Sequence, residues 1–315
     1  MINFRFHIVS LIAIFLALAL GIVMGATVVN RVIVDRLNNR IDTVEKNANA
    51  RKAESDQLRS EAGQLQGYID NSKDFAVTGR LNGVTVATVA ARGVDDDAVK
   101  QTVQLAQRAG AQAVGILWLE EKFTLADNAA VQQLGEIIGR AGENAKPTRD
   151  ATWSALAVRL AAGSASAGPF DVLTALDNGG FVKFEAVGGQ AGDNFSLATF
   201  PGAGARVLLV DGTAGALPAD DVVAPLATEL VANRVPVVAG EVFDQRDGGP
   251  DRGTTLAGIR KNDALTQIVS TVDDLDLVEG RVASVLALGD LSRNVVGQYG
   301  YGAGAKQSIP PWSSP

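Results

Sequence analysis

Residues 84–119 read VTVATVAARGVDDDAVKQTVQLAQRAGAQAVGILWL, and the order of textures in this stretch decides the fold. Val84–Ala90 is an uncharged run of β-branched and small residues, the pattern of a strand covered on both faces. Asp95–Ala109 then reads as an amphipathic helix. Asp95, Asp96 and Asp97 stand at its start, where carboxylates cap free N–H groups and complement the helix dipole. Ala113–Leu119 is a second apolar run. Strand, helix and strand in this order form a βαβ unit, which requires a parallel sheet with helices packed against it.

The alternation continues outward from this unit. Asn128–Arg140 reads as a helix, and residues 150–178 as helical, with the character of a capping insertion. Phe181–Val187 and Arg206–Val210 are expected strands, Asp220–Asn233 a helix and Val235–Ala239 a strand. A shorter strand at Gln267–Val272 and a closing helix at Glu279–Val296 complete the set. The expected body is one α/β domain over residues 80–298, a doubly wound, mostly parallel-sheet (Rossmann-like) arrangement. Residues 299–315, ending Ile309-Pro310-Pro311-Trp312, are expected to be an irregular, exposed tail.

Upstream of the body the periodicity is different. Ile8–Val29 carries no charge over 22 residues. As a helix it would reach about 33 Å, enough to cross a hydrocarbon core of about 30 Å. The run is longer than the apolar part of a cleaved signal, and no clean A-x-A site follows it, so residues 8–29 are read as a retained transmembrane helix behind a short cytoplasmic N-terminus, residues 1–7. Ala17, Gly21 and Gly25 recur every fourth residue, a small-residue stripe that lets two membrane helices approach closely. Arg5 precedes the span and Arg31, Arg36 and Arg40 follow it, so a count of basic residues places the C-terminal side in the cytoplasm. Large domains nevertheless translocate largely regardless of charge.

After the span the period becomes seven. With Val34, Ile41, Ala48, Ser55, Ala62 and Ile69 at a, the d positions hold Leu37, Val44, Arg51, Leu58 and Leu65; nine of these eleven residues are apolar. No proline interrupts the run, and the mix of β-branched a residues with Leu at d favours two parallel strands. In such a pair Arg40 faces the partner's Glu45 and Glu54 faces the partner's Arg59, without a like-charge clash. Residues 30–75 are therefore expected to form a coiled coil in a parallel homodimer. The competing reading is a single long surface helix folded back on the body.

Composition limits the chemistry. A formal charge of −7 and a pI near 4.9 argue against a nucleic-acid partner. With no cysteine and His7 as the one histidine, neither a Ser–His nor a Cys–His pair can form in the body. The first strand ends in Arg92-Gly93 without a G-x-G-x-x-G or a phosphate-binding lysine, and Gly202-x-Gly204 lies before its strand rather than after it. Glu120 and Glu121 follow a strand but define no acid–base pair. Asp211-Gly212, after Val-Leu-Leu-Val, occupies the ligand-facing position of α/β sheets, although such a pair more often simply makes the turn. No cofactor and no catalytic activity are expected.

Two stretches are distinctive beyond their periodicity. One is Phe4-Arg-Phe-His-Ile-Val-Ser-Leu-Ile-Ala-Ile-Phe-Leu-Ala-Leu-Ala-Leu-Gly21; the other is Ser270-Thr-Val-Asp-Asp-Leu-Asp276 with Gly280-Arg-Val-Ala-Ser-Val-Leu-Ala-Leu288 and Gly297-Gln-Tyr-Gly300. Together they resemble the actinobacterial copper transport protein B family over nearly the whole chain. The resemblance implies an envelope protein that lowers intracellular copper, described as an outer-membrane channel, with its domain outside the cytoplasm. It also implies a second role seen in some members, as coiled-coil partners in cell separation that control a peptidoglycan hydrolase.

The residues themselves do not favour direct copper handling. Copper(I) prefers Cys or Met and copper(II) imidazole, whereas this chain has no Cys, one His, and only Met1 and Met24. The span has no polar face to line a pore, and the body lacks the roughly 10-residue alternating strands of a membrane barrel. The sequence-based expectation is a membrane-anchored, dimeric, non-enzymatic scaffold or regulator of an envelope partner. The alternative is the copper transport or homeostasis that the resemblance implies.

Overall fold

The structure is a computed structural model that describes residues 4–164, 171–188, 195–246 and 248–311, apart from the side chains of residues 26–35 and 114. It divides into two compact units, Met1–Gly67 and Tyr68–Pro315. The first helix, α1, runs without interruption over Phe4–Val77 and so contributes to both.

In the first unit α1 is helical because nothing in it breaks a helix: it contains no proline, and its composition changes from apolar to charged without a turn signal. Its apolar part, Phe4–Gly25, has 22 residues, none of them buried in the chain alone, as a membrane span requires.

The second unit is an α/β body built on a seven-stranded sheet of order β3-β2-β1-β4-β5-β6-β7. The strands are β1 (Thr85–Ala91), β2 (Gln112–Leu119), β3 (Val182–Ala186), β4 (Arg206–Gly212), β5 (Val237–Val242), β6 (Val269–Val272) and β7 (Gln298–Tyr299). All neighbours are parallel except β2 and β3, so the sheet is mixed, with an antiparallel edge strand. At Gly115 a Cβ would stand 2.4 Å from the Glu185 carbonyl oxygen, so only glycine lets β3 approach β2 there.

Helices cover both faces. Along β4, Val207 and Leu209 enter one core layer while Leu208 and Val210 enter the other, the period-two alternation of a strand buried on both sides. The first layer is closed by α3 (Asn128–Ile138), α4 (Ala145–Ala162), α5 (Val172–Asn178), α6 (Ala219–Ala232) and the short α7 (Ala257–Arg260) and α8 (Asp263–Thr266). Its centre is aromatic: Phe123 packs 4.9 Å from Trp153 and 5.3 Å from Phe181, and the Trp153 indole donates to the Asp221 carbonyl at 2.8 Å. The second layer is closed by α2 (Asp96–Arg108), α9 (Val278–Asp290) and the last turn of α1, whose Val77 is fully buried. Asp74 in that turn pairs with Arg108 of α2 at 2.7 Å.

Local signals account for the helix ends. Asp95 caps α2, accepting from the N–H groups of Asp97 and Ala98, as the acidic run predicts. The closing helix is shorter than its apolar pattern suggests. It ends at Asp290, and Asn294 in the left-handed region (φ 56°) turns the chain away before Val296.

Most of residues 301–309 are exposed and irregular, but the start of the segment after residue 298 is tied to the sheet. β7 pairs with β6, Tyr299 is buried, and the backbone of Gly300 donates to the Gln307 carbonyl at 2.9 Å. Its sequence carries no strand pattern because only two residues pair; buried polar partners, described next, hold the rest. Trp312 lies outside the described residues.

Candidate functional site

Ligands of parallel sheets gather at the carboxyl ends of the strands, above all where the strand order reverses. Here that point lies between β1 and β4, and the chain's own backbone fills it. Gly93, at φ 90°, lies so close to the turn after β4 that an added Cβ would be 2.7 Å from the Ala216 nitrogen and 2.8 Å from the Ala214 oxygen. The Ala216 N–H donates to the Arg92 carbonyl at 2.7 Å. Arg92 is occupied too: it stacks 4.3 Å from the Trp118 ring centre and reaches Glu120 at 3.1 Å and Asp96 at 3.2 Å. Thus Glu120 serves as an ion-pair partner.

The adjacent strand ends carry a different feature. Asp211 and Glu241 are the penultimate residues of β4 and β5, Asp273-Asp274 directly follow β6, and all four side chains are fully buried. Asp211 and Glu241 are register partners on neighbouring strands. The Asp211 Oδ1 accepts from the Gly212 N–H at 2.8 Å, while its Oδ2 has no hydrogen-bond partner. Burial pushes this carboxyl up to about 7, against the pull of the Gly212 N–H and assisted by the nearby Glu241 charge. The turn covers it closely, since a Cβ on Gly215 would lie 2.3 Å from Oδ1. Glu241 is better satisfied, accepting from the Gly253 N–H at 2.7 Å and the Thr255 N–H at 2.9 Å, yet burial still raises its pKa.

Asp273 is the hub of a clasp that holds the segment after β7. It pairs with Arg260 at 2.6 Å and accepts from the Tyr301 N–H at 2.8 Å and the Gly302 N–H at 3.0 Å. Arg260 also donates to the Tyr299 carbonyl at 2.7 Å and the Ala303 carbonyl at 2.9 Å. One guanidinium and one carboxylate therefore fasten residues 299–303 to the end of the sheet. Asp276 holds Arg252 by two bonds, at 2.7 and 2.8 Å, and Arg252 lies 4.3 Å over the Phe243 ring. Asp274 is the exception: neither carboxyl oxygen has a partner, and burial, reinforced by the Asp273 charge, pushes it up to about 7. Gly280 makes room for it, because a Cβ there would stand 2.0 Å from the Asp274 carbonyl oxygen.

The chemistry of this cluster follows from coverage and charge. Five carboxylates meet two guanidinium groups, both of which are held in structural contacts. The covered carboxylates are out of reach of a substrate, but Asp211 and Asp274 can retain protons near neutral pH. Among the described residues no group of three or more His, Cys, Asp or Glu side chains is placed to hold a metal ion.

Of the residues singled out from sequence, Asp211 and Gly212 lie in this cluster, with Asp211 fully covered. Ala17, Gly21 and Gly25 lie on the exposed apolar part of α1, and nothing stands within 4 Å of a Cβ at either glycine. Leu37, Ile41, Val44, Leu58 and Leu65 are exposed on α1, and Ile69 is half-buried in the second unit. The side chain of Val34 lies outside the described ones. Sequence reading missed Glu241, Asp274, Arg252 and Arg260. A signal for the acids exists, because three apolar strand runs in succession each end in a carboxylate.

A family described as "Copper transport outer membrane protein, MctB" matches residues 1–310. The chain belongs to the MctB family. Its MctB relatives include the "Copper transporter MctB" of Mycobacterium tuberculosis (strain ATCC 25618 / H37Rv), 26% identical over 327 residues, which covers 97% of this chain and 98% of the relative. The protein of the same name from Mycobacterium leprae (strain TN) is 24% identical over 326 residues, covering 99% and 100%. MctB membership thus extends over the apolar helix and the α/β body together.

Proposed function

We propose that this chain works in copper transport or homeostasis at the cell envelope, anchored by its N-terminal helix with the α/β body outside the cytoplasm, and without catalysis of its own. The observation that carries this reading is the family match over residues 1–310, joined by near-full-length relatives named as copper transporters. The apolar helix Phe4–Gly25 supports the anchor. The absence of cysteine and the single histidine, His7, support a non-enzymatic body. We read that body as a doubly wound, Rossmann-like scaffold. Deleting the gene in its own organism should raise cell-associated copper and copper sensitivity, and the full-length chain should reverse both. Unchanged copper content in the deletion strain would sink the proposal.

A second reading is favoured by donor chemistry. Without Cys, and with one His and two Met in 315 residues, the chain lacks the ligands that select copper. In this reading the chain is a scaffold or regulator of an envelope partner, such as a peptidoglycan hydrolase acting in cell separation. Calorimetric titration of the full chain in detergent with copper(I) and copper(II) separates the two. Near-stoichiometric binding supports direct handling, and no heat of binding supports the regulator.

A further inference from the structure

We propose that residues 37–65 of α1 pair with the same residues of a second copy of this chain as a parallel, in-register, two-stranded coiled coil. The inference names a partner for the anchored chain and does not depend on how the body serves copper.

The first observation is exposure. Leu37 is 56% exposed, Ile41 46%, Val44 65%, Leu58 59% and Leu65 64%, on a helix whose other faces are polar. These five residues occupy a and d positions of one heptad frame, so they form a single stripe. Such a stripe is a poor water-facing surface and a suitable seam.

The second observation is shape. A shallow depression of about 380 Å³ on α1 is lined by Arg51, Glu54, Ser55, Leu58, Arg59 and Ala62. In the same frame these are d, g, a, d, e and a residues. The small Ser55 and Ala62 on either side of Leu58 leave the kind of hole into which a facing knob inserts.

The third observation is charge. In a parallel pair Arg40 faces the second copy's Glu45, and Glu54 faces the second copy's Arg59. Within one chain Arg59 makes a 3.5 Å contact with Asp56, both side chains well exposed, and exposed pairs of that kind hold a side chain weakly. Exchange to a partner across the seam therefore costs little.

Direction and register follow from the anchor. Two copies inserted through the same Phe4–Gly25 segment point the same way, which leaves the parallel arrangement. A slip of one heptad would displace one span by about 10 Å along its axis, against a hydrocarbon core only about 30 Å thick. The in-register pair keeps both spans at one depth.

The chain has no cysteine, so single cysteines report without background. Full-length Ile41→Cys and Leu58→Cys, oxidised mildly in native membranes, should each form a disulfide-linked homodimer. Ala53→Cys and Ser60→Cys, at the outer f positions, should give at least tenfold less. Equal yields at seam and outer positions, adducts only to a chain of different mass, or no adduct at either seam position would overturn the proposal. Because Leu58 is exposed, Leu58→Asp leaves the body folded by circular dichroism and should convert the detergent-solubilised chain to monomer. A dimer persisting in that variant would also count against the seam. None of these readouts involves copper, so they can fail independently of the copper role.

Discussion

Replacing Asp211 by Asn should stabilise the body at neutral and alkaline pH and leave it unchanged or weaker in acid. Asp211 is fully buried, with one carboxyl oxygen on the Gly212 N–H and the other without a partner. Its pKa rises from 3.8 to about 7 on folding, chiefly through burial. Below pH 4 both states hold the proton and the site contributes no pH dependence. Between pH 4 and 7 the unfolded chain releases a proton that the folded chain retains, so stability falls as pH rises; above pH 7 the full penalty applies. A rise of about 3 in pKa, at about 1.4 kcal/mol per pH unit, corresponds to about 4 kcal/mol as an upper figure. This is the reverse of the usual salt-bridged aspartate, whose contribution is lost in acid.

Asn keeps the acceptor for Gly212 and removes the charge, but its amide must sit where the unpartnered oxygen does, at a cost of about 1–3 kcal/mol. The net gain at pH 8 should therefore be about 1–3 kcal/mol, shrinking to zero or below at pH 4.5. Urea unfolding of the full chain in detergent, followed by the fluorescence of the buried Trp118 and Trp153, measures both variants across that range. The difference between variant and parent isolates Asp211 from the ordinary carboxylates, which slope the other way. If that difference changes by less than about 1 kcal/mol between pH 4.5 and 8, the reasoning from burial is wrong.

Three further predictions concern the clasp and the seam. Gly280→Ala forces a Cβ onto the Asp274 carbonyl and should cost about 1–3 kcal/mol, read as a drop of several degrees in Tm. Arg260→Ala leaves Asp273 buried and unpaired, for about 3–5 kcal/mol of lost stability. In that variant limited proteolysis should release the segment after Tyr299 at protease concentrations that spare the parent; equal rates would show that the clasp does not hold the segment. Arg51→Leu removes the charge from the middle of the seam and should tighten the dimer about tenfold in sedimentation equilibrium.

The sheet was legible because its strands are buried on both faces. Val-Leu-Leu-Val before Asp211 must be uncharged throughout, since Val207 and Leu208 face opposite core layers. Helix starts were legible at Asp95 and Asp127, whose side chains do the capping, but not at Asp171 or Asn262, which cap the short α5 and α8. Two further things were not legible. β7 pairs only two residues, too few for any period, and its hold depends on Arg260 and Asp273, which are remote in sequence. Likewise Asp274 reads as one acid in an acidic run, and only the packing around Gly280 reveals that it is enclosed without a partner.

The enclosed carboxylates and the proposed seam bear jointly on the proposed copper role. A cation-handling surface needs carboxylates that water can reach, and the densest acidic cluster among the described residues is covered by its own turns and held partly by arginines. Oxygen donors left elsewhere on the surface would select copper poorly against more abundant ions. Among the described residues the exposed large apolar side chains concentrate in α1, in Phe4–Gly25 and then at Leu37, Ile41, Val44, Leu58 and Leu65. The copper role proposed above therefore has to work without soft ligands from this chain. That places the decisive experiment on the seam: a variant that stays folded but monomeric, expressed in a deletion strain, should fail to restore copper content if assembly carries the function.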